Sequence, residues 1–166
     1  ADDGRVAAMA RHTGASVLTY GLSGEVRISD LVLDELARPR FRLDTPWGDA
    51  TVAMSVSGEH MAMNGAAAIA VAGAAGVDLE AAVAELADAG VSGMRMEIIR
   101  LPSGAVVIND AYNANPTSMA AALDSLVAMH AERRIAVLGL MGGWTTRARA
   151  TAVARKKPKT RARAPK

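Results

Sequence analysis

The sequence predicts an α/β fold with an α+β front part, on three observations. Three alternating segments lie close together between residues 26 and 56, an alanine-rich, proline-free helix pair follows them, and residues 105–140 read as strand, helix, strand. The chain has 166 residues, 51% of them apolar, which is enough for a packed core in one domain or two small ones. It has no cysteine, which excludes a disulfide framework and fits a reducing cytoplasm. No apolar run reaches the roughly 18–20 residues a bilayer span needs. The opening Ala-Asp-Asp-Gly is not a basic, then apolar, export signal. The expectation is a soluble, cytoplasmic protein without a membrane partner.

Each element has a local reason. Val6, Met9 and Ala10 set a short helical pattern, and Ser16 to Tyr20 reads as a brief strand closed by Gly21. Val26–Leu33, Phe41–Leu43 and Thr51–Val56 alternate between turn signals, among them Pro46-Trp-Gly-Asp49, and suggest an antiparallel sheet with one face buried. Met61–Ala75 is a helix of small residues ending at Gly76, suited to close packing on a flat surface. Asp78 caps a second helix, Leu79–Ala89. Met94–Leu101 and Ala105–Asn109 are two strands around Pro102-Ser-Gly104. Asn115 and Pro116 suit the cap and first turn of a helix running to His130 that buries Met119, Leu123, Leu126 and Val127. Arg134–Leu140 reads as an apolar strand of parallel-sheet character, in a unit whose sheet edges and helix face lack partners.

Charge divides the chain. The formal +2 is the sum of residues 1–146, with ten arginines, no lysine and 17 acids (10 − 17 = −7), and the last twenty residues, with five arginines, four lysines and no acid (+9). The basic end, with Pro158 and Pro165, reads as a solvated, disordered tail.

Three polar places interrupt this plan. His60 and Asn64 stand one helical turn apart on one face, as either a helix-start hydrogen-bonding pair or a ligand pair. Three histidines and no cysteine disfavour zinc. Arg95, between the helix pair and the strand unit, can form a surface ion pair with Glu97 or fork onto phosphate. Asp110-Ala-Tyr-Asn-Ala-Asn115 joins a strand's carboxyl end to a helix's amino end, where open α/β sheets bind ligands; an Asx-rich turn has the same composition. No Gly-x4-Gly-Lys-Ser/Thr pattern is present, and no lysine precedes Lys156.

The run from Val107 to Met119, Val-Ile-Asn-Asp-Ala-Tyr-Asn-Ala-Asn-Pro-Thr-Ser-Met, followed by Arg134-Ile-Ala-Val-Leu-Gly139, resembles the start of the C-terminal domain of Mur ligases. Asn-Ala-Asn-Pro in the loop resembles the branch that adds D-alanyl-D-alanine; related branches carry a histidine there. Ala1-Asp-Asp-Gly, Gly58-Glu-His60 with Asn64, and Met94-Arg-Met-Glu97 resemble other family segments in the same order. Met61 departs from the family's usual asparagine. The resemblance implies that residues 1–92 are the back of the central ATP-binding domain and 93–141 the first β-α-β unit of the Rossmann-like C-terminal domain, with 142–166 the basic tail.

The resemblance further implies an ATP- and Mg2+-dependent ligase of peptidoglycan synthesis, joining D-alanyl-D-alanine to UDP-N-acetylmuramoyl-tripeptide through an acyl phosphate. In that scheme His60 and Asn64 lie near the adenosine, Arg95 faces the nucleotide, and Asp110 holds the ribose hydroxyls. Tyr112, Asn113 and Asn115 position nucleotide or acceptor peptide. No catalytic residue and no metal ligand is assigned, since the P-loop and the metal-binding residues of the family have no counterpart in this sequence. The polypeptide alone is therefore expected to be inactive.

From about Gly142 the expected acidic helix gives way to Trp144-Thr-Thr and a basic run. Regrouping G+C-rich codons for Arg155-Lys-Lys-Pro-Lys-Thr160 by one frame gives Glu-Glu-Ala-Glu-Asp, so the tail reads as an out-of-frame end. A nucleic-acid-binding tail is the competing reading, but no aromatic residue follows Trp144 to stack on bases. Self-association through an unfinished sheet edge is a third.

Overall fold

A computed structural model describes residues 1–90, 92–139 and 141. Its elements are α1 (Gly4–Ala8, continued by a 3-10 turn to His12), β1 (Tyr20–Gly21), β2 (Val26–Leu33), β3 (Pro39–Thr45), β4 (Gly48–Ala53), α2 (His60–Ala74), α3 (Leu79–Asp88), β5 (Glu97–Arg100), β6 (Val106–Asn109) and α4 (Pro116–Ala128). The order is mixed α/β, as expected. The tail from residue 142, with its reading as an out-of-frame end, lies outside the described residues.

Strands β1 to β4 form one sheet in sequence order. β2, β3 and β4 are antiparallel, with Ile28 opposite Leu43 and Phe41 opposite Val52. β1 differs from the expectation in being only two residues long and pairing parallel to β2. Its loop is closed instead by side chains: Glu25 Oε2 accepts from Thr19 N–H and Oγ1, and Asp2 accepts from Leu22 N–H and Ser23 Oγ. β4 is shifted toward the tight turn at Gly48, spanning Gly48–Ala53 rather than Thr51–Val56.

Alternation places Val26, Ile28, Phe41, Leu43 and Val52 on one face, under α2. Helix α2 turns Ala62, Gly65, Ala66, Ile69 and Ala70 toward them, the i, i+3, i+4, i+7, i+8 stripe of a core-facing helix. Small residues let the helix axis approach the sheet. Leu79, Ala82, Val83 and Leu86 of α3 close the side of the same cluster, and Asp78 accepts from Ala81 N–H as the cap of α3. Gly76, at φ +82°, ends α2 in a conformation that disfavours a Cβ. On the outer face Arg27 and Arg42 flank Asp44 at 2.6 and 3.0 Å. The hydrogen bond from Arg27 leads in holding the Asp44 carboxyl below the ordinary carboxylate range.

The second half is thinner. Among the described residues β5 and β6 pair only with each other, antiparallel, Glu97 opposite Asn109. β5 starts at Glu97, not Met94, because Met94 and Met96 have φ of 61° and 49°, which no extended strand accommodates. α4 ends at Ala128, and Ser125 is its one buried residue. The expected apolar face is not covered: Met119 and Leu126 are half-buried, while Leu123 and Val127 are exposed. α4 meets the first half of the chain instead, with Ser125 beside Gly58 and His130 N–H donating to Glu35 O just past its end.

Residues 134–139 form no ladder, and Val137 is 94% exposed. Arg134 instead donates from Nε to Leu126 O and from Nη2 to Met129 O, at 3.0 and 2.6 Å, satisfying carbonyls at the end of α4. The expected strand therefore corrects to a cap followed by an unpaired segment.

Candidate functional site

The linker before β5 and the loop after β6 meet at one end of the ribbon. Asp110 Oδ1 accepts from Met96 N–H at 3.0 Å, and Tyr112 N–H donates to Met94 O at 3.0 Å. The Arg95 guanidinium lies over the Tyr112 ring, 4.0 Å from its centroid, a cation–π contact worth about 0.5–1 kcal/mol at an exposed site. Arg95, Asp110 and Tyr112 are thus brought together. The expected alternative of an Arg95–Glu97 ion pair is not formed among the described residues. Glu97 Oε2 accepts instead from Met94 N–H at 3.2 Å and from Asn109 Nδ2 at 2.9 Å.

These bonds hold an uncommon backbone. Two methionines in the left-handed region, each costing of order 1–2 kcal/mol, flank Arg95. The positive φ values aim the intervening arginine back across Tyr112. The sequence reading offered Glu97 only as an ion-pair partner of Arg95 and did not single out Asn109; their link follows from the cross-strand register, Glu97 opposite Asn109.

The rest of the loop is engaged locally. Asn113 Oδ1 accepts from Ala114 N–H. Asn115 Oδ1 accepts from Ser118 N–H at 2.9 Å while Asn115 N–H donates to Ser118 Oγ at 3.1 Å, a reciprocal capping box at the start of α4. Asn115 therefore acts here as the helix cap that the sequence offered as one of its roles.

His60 and Asn64 lie elsewhere, exposed on the first turns of α2. Asn64 Nδ2 contacts Met61 Sδ at 3.4 Å. The His60 ring folds over Gly58, at φ +112°, so closely that a Cβ at position 58 would stand 2.5 Å from Cε1 and 3.2 Å from Ser125 Oγ. His60 lines a cleft of about 330 Å³ between α2, β2 and α4, with Leu31, Leu33, Asp124 and Ser125 among its walls. No hydrogen bond or ion pair joins this cleft to the Arg95 cluster among the described residues.

Among the described residues no group of three or more His, Cys, Asp or Glu side chains could hold a metal ion. No helix among the described residues is long and apolar enough to cross a membrane.

Comparison with known proteins places this geometry. The sequence model of the family described as Mur ligase, glutamate ligase domain, matches residues 94–162. The match runs past residue 141, where the motif resemblance was expected to end. A UDP-N-acetylmuramoyl-tripeptide--D-alanyl-D-alanine ligase of Mycobacterium tuberculosis is 44% identical over 129 residues, 76% of this chain and 25% of that protein. The solved MurF of Acinetobacter baumannii is 33% identical with a TM-score of 0.69, covering 76% of this chain and 27% of that one. MurF of Thermotoga maritima, solved in complex with ADP, shares the fold at TM-score 0.64 and 20% identity over 76% of this chain and 29% of its own. The chain spans about a quarter of the length of the curated relatives it matches. Loop motif, family match and fold converge: residues 94–162 carry the glutamate ligase domain of the Mur ligase family.

Proposed function

We propose that this chain is the nucleotide-facing linker segment of an ATP-dependent, amide-forming ligase of peptidoglycan synthesis, of the branch that adds D-alanyl-D-alanine to UDP-N-acetylmuramoyl-tripeptide in the cytoplasm. The observation that carries the reading is the cluster at the linker: Arg95 over Tyr112, with Asp110 beside Met96. Asp110 commits one carboxylate oxygen to the linker, and Oδ2 is the oxygen that meets the ribose hydroxyls. Arg95 supplies a fork that suits phosphate. Tyr112 and Asn113 border the acceptor side, Asn115 sets the direction of α4 beneath them, and His60 and Asn64 meet the adenosine face from α2.

A carboxylate is a poor electrophile, so the tripeptide carboxylate takes the γ-phosphoryl group of ATP. The amine of D-alanyl-D-alanine then attacks the carbonyl carbon and phosphate leaves. Cationic side chains offset the charge that gathers on the transferred group. Arg95 contributes to that offset from the linker. Magnesium is used in the family scheme, but this chain's described residues hold none of its ligands, and no step is drawn through it.

The test has two parts. ADP titrated into the chain by calorimetry should bind, and Arg95→Ala or Asp110→Ala should weaken it about tenfold, the scale of one charge-assisted hydrogen bond. Residues 1–141 exchanged into a full-length D-alanyl-D-alanine-adding ligase should retain D-alanyl-D-alanine-dependent phosphate release. Loss of release in a folded exchange protein overturns the reading. The 166-residue chain alone should release no phosphate, and D-alanyl-D-alanine-dependent release from it contradicts that expectation.

A further inference from the structure

We propose that Glu97 is a positioning residue for the Arg95–Asp110 cluster, an inference that rests on reading that cluster as the nucleotide-facing site. Glu97 opens β5 and is half-buried. A single oxygen, Oε2, accepts from Met94 N–H and from Asn109 Nδ2. One acceptor atom thus ties the residue before Arg95 to the residue before Asp110. A side-chain carbonyl-type oxygen suits this, having lone pairs for both donors.

The linker needs such a tie. Met94 and Met96 both stand at positive φ, and three hydrogen bonds hold them: Glu97 to Met94 N–H, Tyr112 N–H to Met94 O, and Asp110 to Met96 N–H. Two of the three come from residues that themselves face the ligand. Glu97 gives its Oε2 to the linker and to Asn109 and is not among the groups assigned to the ligand. It keeps Arg95 aimed whatever Asp110 and Tyr112 bind.

Glu97→Ala and Glu97→Gln in the whole chain test this by three readouts: amide exchange at Met94 and Met96, the ring-current shift of the Arg95 side-chain protons over Tyr112, and ADP affinity. Glu97→Ala should speed Met94 exchange about tenfold, reduce the ring-current shift and weaken ADP about tenfold. Glu97→Gln keeps an acceptor oxygen and should restore all three. Asn109→Ala, which leaves the Met94 bond in place, should produce a smaller change in the same direction, and serves if Glu97→Ala does not fold. Unchanged Met94 exchange and ring-current shift in folded Glu97→Ala overturn the proposal, as does ADP affinity that falls while both stay fixed. If exchange and ring-current shift respond but wild-type chain binds no ADP, the tie stands and the nucleotide reading falls.

Discussion

Between β2 and α3 each apolar strand face has a helix over it, while from β5 onward most apolar side chains face outward. Phe41, Leu43, Val26 and Val52 are at most 1% exposed. Ile99, Val106 and Val107 in the ribbon are each more than a third exposed. The strands differ little in composition; what differs is the number of layers available to them. Four strands with two helices close a two-layer core, whereas a two-stranded ribbon with no helix packed broadly over it among the described residues cannot. The candidate site sits in the open region, held by hydrogen bonds and backbone conformation in place of packing.

Truncation separates the two regions most sharply. Phe41→Ala should destabilise the chain by about 3–5 kcal/mol, read as a lower urea midpoint, whereas Val107→Ala, already 41% exposed, should cost less than about 1 kcal/mol. Equal effects would mean the ribbon is as well packed as the sheet. Asn115→Ala removes the capping box and should cost about 1 kcal/mol, confined to α4 and visible as faster amide exchange at Ser118 and Met119. Gly76→Ala, at φ +82°, should cost about 1 kcal/mol in the first region, with no change in exchange at Met94.

The smallest effect is that of acid. Asp44 has a depressed folded pKa, so the stability it lends is present above its ordinary value of 3.8 and is lost as pH falls through the lower folded value. The urea midpoint of wild type should therefore drop below that pH, and Asp44→Asn should flatten the drop. An unaltered slope in the variant places the acid sensitivity elsewhere.

The closed region was largely legible in the sequence. Alternation in Val26–Leu33 and the alanine-rich Met61–Ala75 run gave β2 and α2 to within a residue or two, because burial on one face leaves a period that survives in the chain. The Asp78 and Asn115 caps were legible for a similar reason: each satisfies backbone groups a fixed three residues away. Arg134–Leu140 was misread because apolar composition reports a tendency to be buried and cannot supply the neighbouring strand. Burial of Leu123 and Val127 failed on the same ground. Arg95, Asp110 and Tyr112 were each named from motif order alone, and Glu97 was read only as an ion-pair partner of Arg95 because its role depends on register across the ribbon.

The ribbon's free sides bear on how the chain behaves in a tube. Among the described residues β5 and β6 each have one neighbour, so each shows a row of backbone donors and acceptors with no described strand beside it. Val106 and Val107 flank that row with exposed apolar surface. Edge-to-edge contact between molecules is second order in protein, while folding of the sheet core is first order. Light scattering should therefore climb with concentration at constant circular dichroism, and a working preparation is one kept dilute.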